Sequence, residues 1–421
     1  MIKQSDSPNL SGDQSGRDRP RTGPPDAPVY DVAVLTSAAL PWLTGPSLIS
    51  VWQACGLAAM GYRVSYVFPW LDAGSQRRLW GQCRFADFDA QVAWMAREAE
   101  ALGCPPLPDC RPYRARYVRG LRSIVPLEDV FGAAPQARCL VLSEPEHLCW
   151  YPFTRARAGI RAETTVGLCM TNYDHFIRRS GVPMASLLSN LAARLHGRAI
   201  RRRMDTALRL SSAMELPGVA FKDARVTGVL PGYAQVPPVT PGTGGVYFLG
   251  GFIWEKRLAD LVTIAERAGQ TIDVHGVGPD EARIRALASE RGAPLRFFGP
   301  NARFWKEMPR YRVFVNPSRS EVLCTATAEA LVSGRHVVLP DCPGNLPFRG
   351  YPNTHFYTDM DGAIEALGRA LASMPAPADA ARCDFDWTLA CDRLAGLCRL
   401  PPRGPLRHGP AHTAGSPDRP V

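Results

Sequence analysis

The chain has 421 residues, room for two ordinary domains of roughly 150 to 200 residues each, and its 46% hydrophobic and 21% charged content excludes a fibrous or wholly disordered protein. No stretch approaches the roughly 18 uninterrupted apolar residues of a spanning helix, and the first residues lack the apolar core of a signal peptide, so a cytoplasmic protein, soluble or peripheral at a membrane, is expected. The net charge of +10 is uneven: 24 basic and 16 acidic residues between 29 and 230 give +8, whereas 18 of each between 231 and 400 cancel, a split that suits one half docking on an anionic surface better than uniform attraction to nucleic acid.

Residues 1–28 and 401–421 are rich in Pro, Gly, Ser and Arg and are expected to be disordered tails. The body opens with an apolar run at 32–35, a turn-rich loop to Gly45, helical spacing over 48–60 stopped by Gly61, and a second apolar run at 64–68, which together read as a β-α-β unit. Farther on, Leu187, Leu191, Leu195 and Ala199 recur every four residues while Arg194, Arg198, Arg201 and Arg202 form another stripe, the pattern of a basic amphipathic helix suited to anionic headgroups. A Pro/Gly cluster at 237–242 divides the domains. Beyond it a strand at 246–249, a helix near 256–268, strands at 271–275, 295–298 and 312–316, a helix from about Thr325 and a strand at 336–339 repeat the alternation. The expected architecture is α/β, with an N-terminal Rossmann-like domain at 29–236, a second at 237–377, and parallel sheets facing a cleft that is the default ligand site. Twelve cysteines without a C-x-x-C pair are expected to be buried, reduced thiols.

Residues 316–331 hold the most candidate chemistry. A strand leads into a loop carrying Ser318 and Glu321, and a helix starting near Thr325 and Ala326 carries Glu329 in its second turn. Free N–H groups at such a helix start form an anion site, and the two carboxylates can accept hydrogen bonds from a sugar and from ribose hydroxyls. The bland alternative makes both glutamates ordinary acids of a helix start. No aspartate pair with metal-binding spacing stands beside this segment, so no metal or other cofactor is expected.

The glutamates eight positions apart resemble the donor motif of retaining nucleotide-sugar glycosyltransferases of the GT-B fold. More narrowly, 40–45 (LPWLTG), 68–71 (FPWL), 144–151 (EPEHLCWY), 171–173 (TNY) and 322–331 (VLCTATAEAL) look like the motifs of digalactosyldiacylglycerol synthases, in the same order from about 31 to 370. The resemblance implies a UDP-hexose donor, a membrane glycolipid acceptor and a last helix, within 378–400, that crosses back to the first domain. It implies that Glu321 contacts the donor sugar, Glu329 holds the ribose, the backbone at Thr325 and Ala326 receives the diphosphate, Lys256 binds phosphate, and Gly45 lets backbone approach it. Two departures stand out. The cation after Gly250 is replaced by Gly251, with Arg257 as its candidate substitute. The family's histidine before Thr-Asn-Tyr is Met170, beside Asn172; a methionine has no N–H to donate, so His147 or His175 takes the role, the acceptor geometry differs, or turnover is low. Two rivals remain: a glycosyltransferase with a soluble acceptor, and a weakened nucleotide-sugar-binding protein. No nucleic-acid module is present.

Overall fold

The computed structural model describes residues 30–42, 44–121, 123–149, 160–173 and 184–403. Apolar runs flanked by turn residues become two sheets. The first contains β1 (Tyr30–Leu35), β2 (Val64–Leu71), β3 (Asp109–Val118), β4 (Ser123–Pro126), β5 (Ala137–Ser143), β6 (Ala162–Cys169), β7 (Thr206–Arg209) and β8 (Phe221–Asp223), in the order β4-β3-β2-β1-β5-β6-β7-β8. Its strands pair parallel except at β4, which the short turn Arg119–Leu121 folds back antiparallel onto β3. The second contains β9 (Gly245–Leu249), β10 (Ile272–His275), β11 (Leu295–Phe298), β12 (Tyr311–Val315), β13 (His336–Pro340) and β14 (Thr354–Tyr357), ordered β11-β10-β9-β12-β13-β14 and parallel throughout.

Strands such as Val32–Leu35 are buried on both faces, as crossover helices require. In each sheet the strand order reverses beside the first strand: β1 lies between β2 and β5, and β9 between β10 and β12. Loops leaving the carboxyl ends of these strands diverge and leave a crevice.

The chain changes domain earlier than the Pro/Gly cluster suggests. Val226 packs in the core of the first domain and Val229 in that of the second, so the crossing falls at 227–228, and the cluster at 237–242 is a surface loop. The return lies where aromatics sit at 385–387. Phe385 belongs to the second core, whereas the helix Trp387–Leu397 packs on the helix Gly45–Ala59 of the first, with Trp52 and Trp387 stacked at 5.3 Å. The expected crossing helix is thus two helices, Asp379–Asp384 and Trp387–Leu397, split between the domains. The expected tail 1–28 and residues 404–421 of the expected tail 401–421 lie outside the described residues. Residues 401–403 pack on the first domain, where Tyr62 donates to the Pro401 carbonyl at 2.8 Å and Arg403 pairs with Asp31. All twelve cysteines are free; eight are buried as expected, but Cys83, Cys110 and Cys342 are half-buried, and Cys383 is exposed on the outer side of its short helix.

Candidate active site

Between the domains lies a cavity of about 540 Å³. Its walls come from strand ends: Gly45 after β1, Met170 after β6, Lys256 after β9, Val277 after β10, Asn301 after β11, and Glu321 after β12. Two helices start at it. Gly45–Ala59 follows Thr44, and Thr325–Val332 follows Cys324; Pro46 has no N–H and Thr44 caps that of Ser47, so the N–H groups left without a helical partner at the cavity are those of Gly45 on one domain and of Thr325 and Ala326 on the other. A Cβ on Gly45 would meet nothing within 4 Å, and its backbone therefore stays open to a ligand.

Lys256 Nζ donates to Glu321 Oε1 at 2.7 Å. Burial pulls the lysine's proton affinity down, but the Glu321 carboxylate and its hydrogen bond outweigh this and raise it above the ordinary value. The ammonium is therefore charged throughout the neutral range. Gly250 makes room for it, since a Cβ there would press on the Phe248 ring at 3.1 Å and stand 3.6 Å from Nζ.

Glu329 faces the same cavity, and Tyr233 donates a hydrogen bond to it. Burial raises its acid to about 7, with the tyrosine opposing. If Glu329 accepts from a ribose, as the resemblance implies, its ionised form accepts more strongly than its acid, so affinity for a UDP-hexose should fall as pH drops through about 7. Glu329→Ala should weaken UDP about 10- to 100-fold, the loss of roughly 1.5 to 3 kcal/mol for a charge-assisted hydrogen bond. Titration calorimetry at pH 6 and 8 checks both; unchanged UDP affinity in the variant would sink the ribose assignment. The stability effect has the opposite sign. Because the folded acid is raised above its unfolded value, near 4.3, its contribution to stability is present below that pH and lost as pH rises through about 7.

Thr325, Ala326, Gly251 and Met170 also line the cavity, but several other expected residues do not. Arg257, the candidate substitute for the cation missing at Gly251, has a left-handed backbone, φ 57°, pairs with Asp260 at 2.6 Å and does not line the cavity. Ser318 is fully buried, its N–H bonded to Asn316. Asn172 holds the Ala213 carbonyl at 2.8 Å. His147 is engaged at both ring nitrogens, with the Ile124 carbonyl at 2.7 Å and the Tyr173 hydroxyl at 2.9 Å, which leaves neither for a sugar. His175 lies outside the described residues. Sequence reasoning passed over the wall formed after β10. Gly276 sits at φ 146° against the Gly250 carbonyl, and Gly278 against the Phe252 backbone, so the Gly-Val-Gly after a strand was the available signal.

Among the described residues no three His, Cys, Asp or Glu side chains converge to hold a metal ion. No described helix is long and apolar enough to cross a membrane. The helix Ala185–Arg203 does not hide its leucines. Met184, Leu187, Leu191 and Leu195 are 70, 63, 54 and 48% exposed, and the helix packs through Ser189, Ala193, His196 and Ile200. Arg194, Arg198 and Arg202 are exposed beside that apolar stripe, while Arg201 reaches the Pro217 carbonyl at 2.7 Å.

No family model matches the chain. Digalactosyldiacylglycerol synthase 2, chloroplastic, of Glycine max is 30% identical over 386 residues, which cover 86% of this chain and 82% of the relative. The chain belongs to the digalactosyldiacylglycerol synthase family. Among solved structures, sucrose-phosphate synthase from Thermosynechococcus elongatus aligns over 87% of this chain and 98% of its own, with TM-score 0.60 and 15% identity. HepE of Anabaena, in complex with UDP and glucose, aligns over 88% and 99%, with TM-score 0.55 and 12% identity. The fold of this family member is thus the GT-B fold of glycosyltransferases.

Proposed function

We propose that the protein transfers a hexose, galactose by its family, from a UDP-sugar to a membrane glycolipid such as monoglycosyldiacylglycerol, with retention of configuration. The observation that carries the reading is the Lys256–Glu321 pair, set in one cavity with two helix N-termini and Glu329. The bond from C1 of the sugar to the diphosphate breaks as the acceptor oxygen takes C1, and the acceptor's hydroxyl proton passes to the departing diphosphate. Negative charge then grows on the diphosphate, where Lys256 and the N–H groups at Thr325 and Ala326 meet it without reorganisation. Glu321 accepts from sugar hydroxyls and Glu329 from ribose. Retention rests on family membership, and the UDP donor is supported by the UDP complex of HepE.

A lipid acceptor is supported by the exposed leucine stripe with its flanking arginines. That helix follows β6 in the chain, the strand after which Met170 lines the cavity. The decisive experiment incubates the protein with UDP-galactose, UDP-glucose and a GDP-sugar, each with diacylglycerol, monoglycosyldiacylglycerol in vesicles or a soluble sugar, and reads products by mass spectrometry. A diglycosyl lipid from a UDP-hexose is expected. Products formed only on soluble sugars would overturn the acceptor, and UDP binding without any product would leave a binding protein.

A further inference from the structure

At the point where the strand order of the first sheet reverses, β5 ends in two buried acids, Glu144 and Glu146, 6 and 2% exposed. Neither lines the cavity, and the transfer chemistry above uses neither. Glu144 has a left-handed backbone, φ 59° and ψ 57°, a strained conformation for a residue with a side chain, and such strain persists where surrounding contacts demand it.

The contacts are specific. One Glu144 oxygen accepts from the Ser37 hydroxyl in the loop after β1, and the other from the Thr171 hydroxyl in the loop after β6. Glu146 Oε1 accepts the two successive backbone N–H groups of Met170 and Thr171, both at 2.8 Å, and its Oε2 meets no hydrogen-bond partner among the described residues. Three loops are thereby tied at one point. One leads to Thr44 and Gly45, and another carries Met170, whose side chain lines the cavity.

We propose that Glu144 and Glu146 are positioning residues for glycosyl transfer, fixing the Met170–Thr171 backbone and with it the acceptor side of the cleft. The inference rests on the reading of that cleft as the transfer site. Shortening the Glu146 side chain by one methylene breaks the double N–H contact, whereas an amide of the same length keeps it.

Protonation belongs to the same device. Burial and the neighbouring Glu144 carboxylate push the Glu146 acid up to about 8, so near neutrality it carries a proton. Besides Glu144, the Cys149 thiol on its own element and the Cys169 thiol at the end of β6 stand against it; beyond them, Arg203 lies by Cys149, and Tyr173 and His196 lie by His147. The loop after β1 brings Ser37 and no ionisable side chain. Above pH 8 Glu146 takes on a buried negative charge that the Met170 and Thr171 N–H groups favour but that repels Glu144, and this repulsion strains the junction of the three loops.

The test compares Glu146→Gln and Glu146→Asp in the full chain, using UDP-galactose and monoglycosyldiacylglycerol in phosphatidylglycerol vesicles. For Glu146→Asp, kcat/KM for the acceptor should fall about 30-fold or more, while the dissociation constant of UDP-galactose stays within twofold. Glu146→Gln should keep kcat at pH 7 within about threefold and abolish the decline of the wild-type rate above pH 8. Amide hydrogen exchange at Met170 and Thr171 should be at least tenfold faster in the aspartate variant, a readout that needs no turnover. If Glu146→Asp does not fold, Thr171→Val removes the hydroxyl from Glu144 and should lower acceptor kcat/KM about tenfold with donor affinity unchanged. Unaltered exchange and acceptor kinetics in the folded variant, or an alkaline decline retained by Glu146→Gln, would overturn the proposal. Faster exchange with no transfer by the wild type would instead overturn the proposed function and uphold the tie.

Discussion

Lys256→Ala is expected to lower kcat by about 10²- to 10³-fold, the usual result of removing one preorganised donor from a site where negative charge develops. The lysine is held charged by Glu321, 2.7 Å away, in spite of its burial. Its removal has two consequences: the departing diphosphate loses a cation, and it then faces a Glu321 carboxylate with no counter-charge. The double variant Lys256→Ala, Glu321→Gln should therefore lose less than the product of the two single losses. Steady-state turnover of UDP-hexose decides the matter, and a kcat within tenfold of wild type for Lys256→Ala would remove the lysine from the transfer step.

Replacing Leu187, Leu191 and Leu195 together by serine should release the protein from vesicles by about 10²- to 10³-fold in partition. Full burial of a leucine is worth roughly 1.5 to 3 kcal/mol, and these three, 48 to 63% exposed, have about half of that to gain from a bilayer. The loss should persist in high salt. Replacing Arg194, Arg198 and Arg202 by glutamine should behave differently, each arginine contributing about 1 kcal/mol near an anionic surface, screened within roughly 8 Å at physiological ionic strength. Arg201 is left out because its bond to the Pro217 carbonyl holds a loop. Flotation with neutral and anionic vesicles separates the two terms, with UDP affinity as the control for folding. If the serine variant still floats in 0.5 M salt, the stripe is not what holds the lipid surface.

The half of the site we assign to the donor was legible because its chemistry is local in sequence. A strand, a loop with Glu321 and a helix start at Thr325 are contiguous, and only Lys256 had to be brought from a neighbouring strand. The strand order could not be read, since nothing in a run such as Val32–Leu35 specifies whether β2 or β5 lies beside it. The antiparallel β4 likewise depends on pairing with a partner that its four residues do not encode. The acceptor half was harder. Glu144 and Glu146 stand in a motif, but their work lies in contacts to Ser37 and to backbone N–H groups at 170–171, more than twenty residues away on either side. The leucine stripe was visible as a period of four, yet the period is equally that of a core face. Only packing through the small residues Ser189 and Ala193 shows that it points outward.

The chain passes between the domains twice, and the two passages touch. Val229 N–H donates to the Phe385 carbonyl at 3.0 Å, and Gly228 lies so close that a Cβ there would stand 2.7 Å from that carbonyl oxygen and 2.9 Å from the Trp387 ring. The two crossings thus form one bonded, close-packed junction, and the Trp52–Trp387 stack fastens one end of it to the first domain.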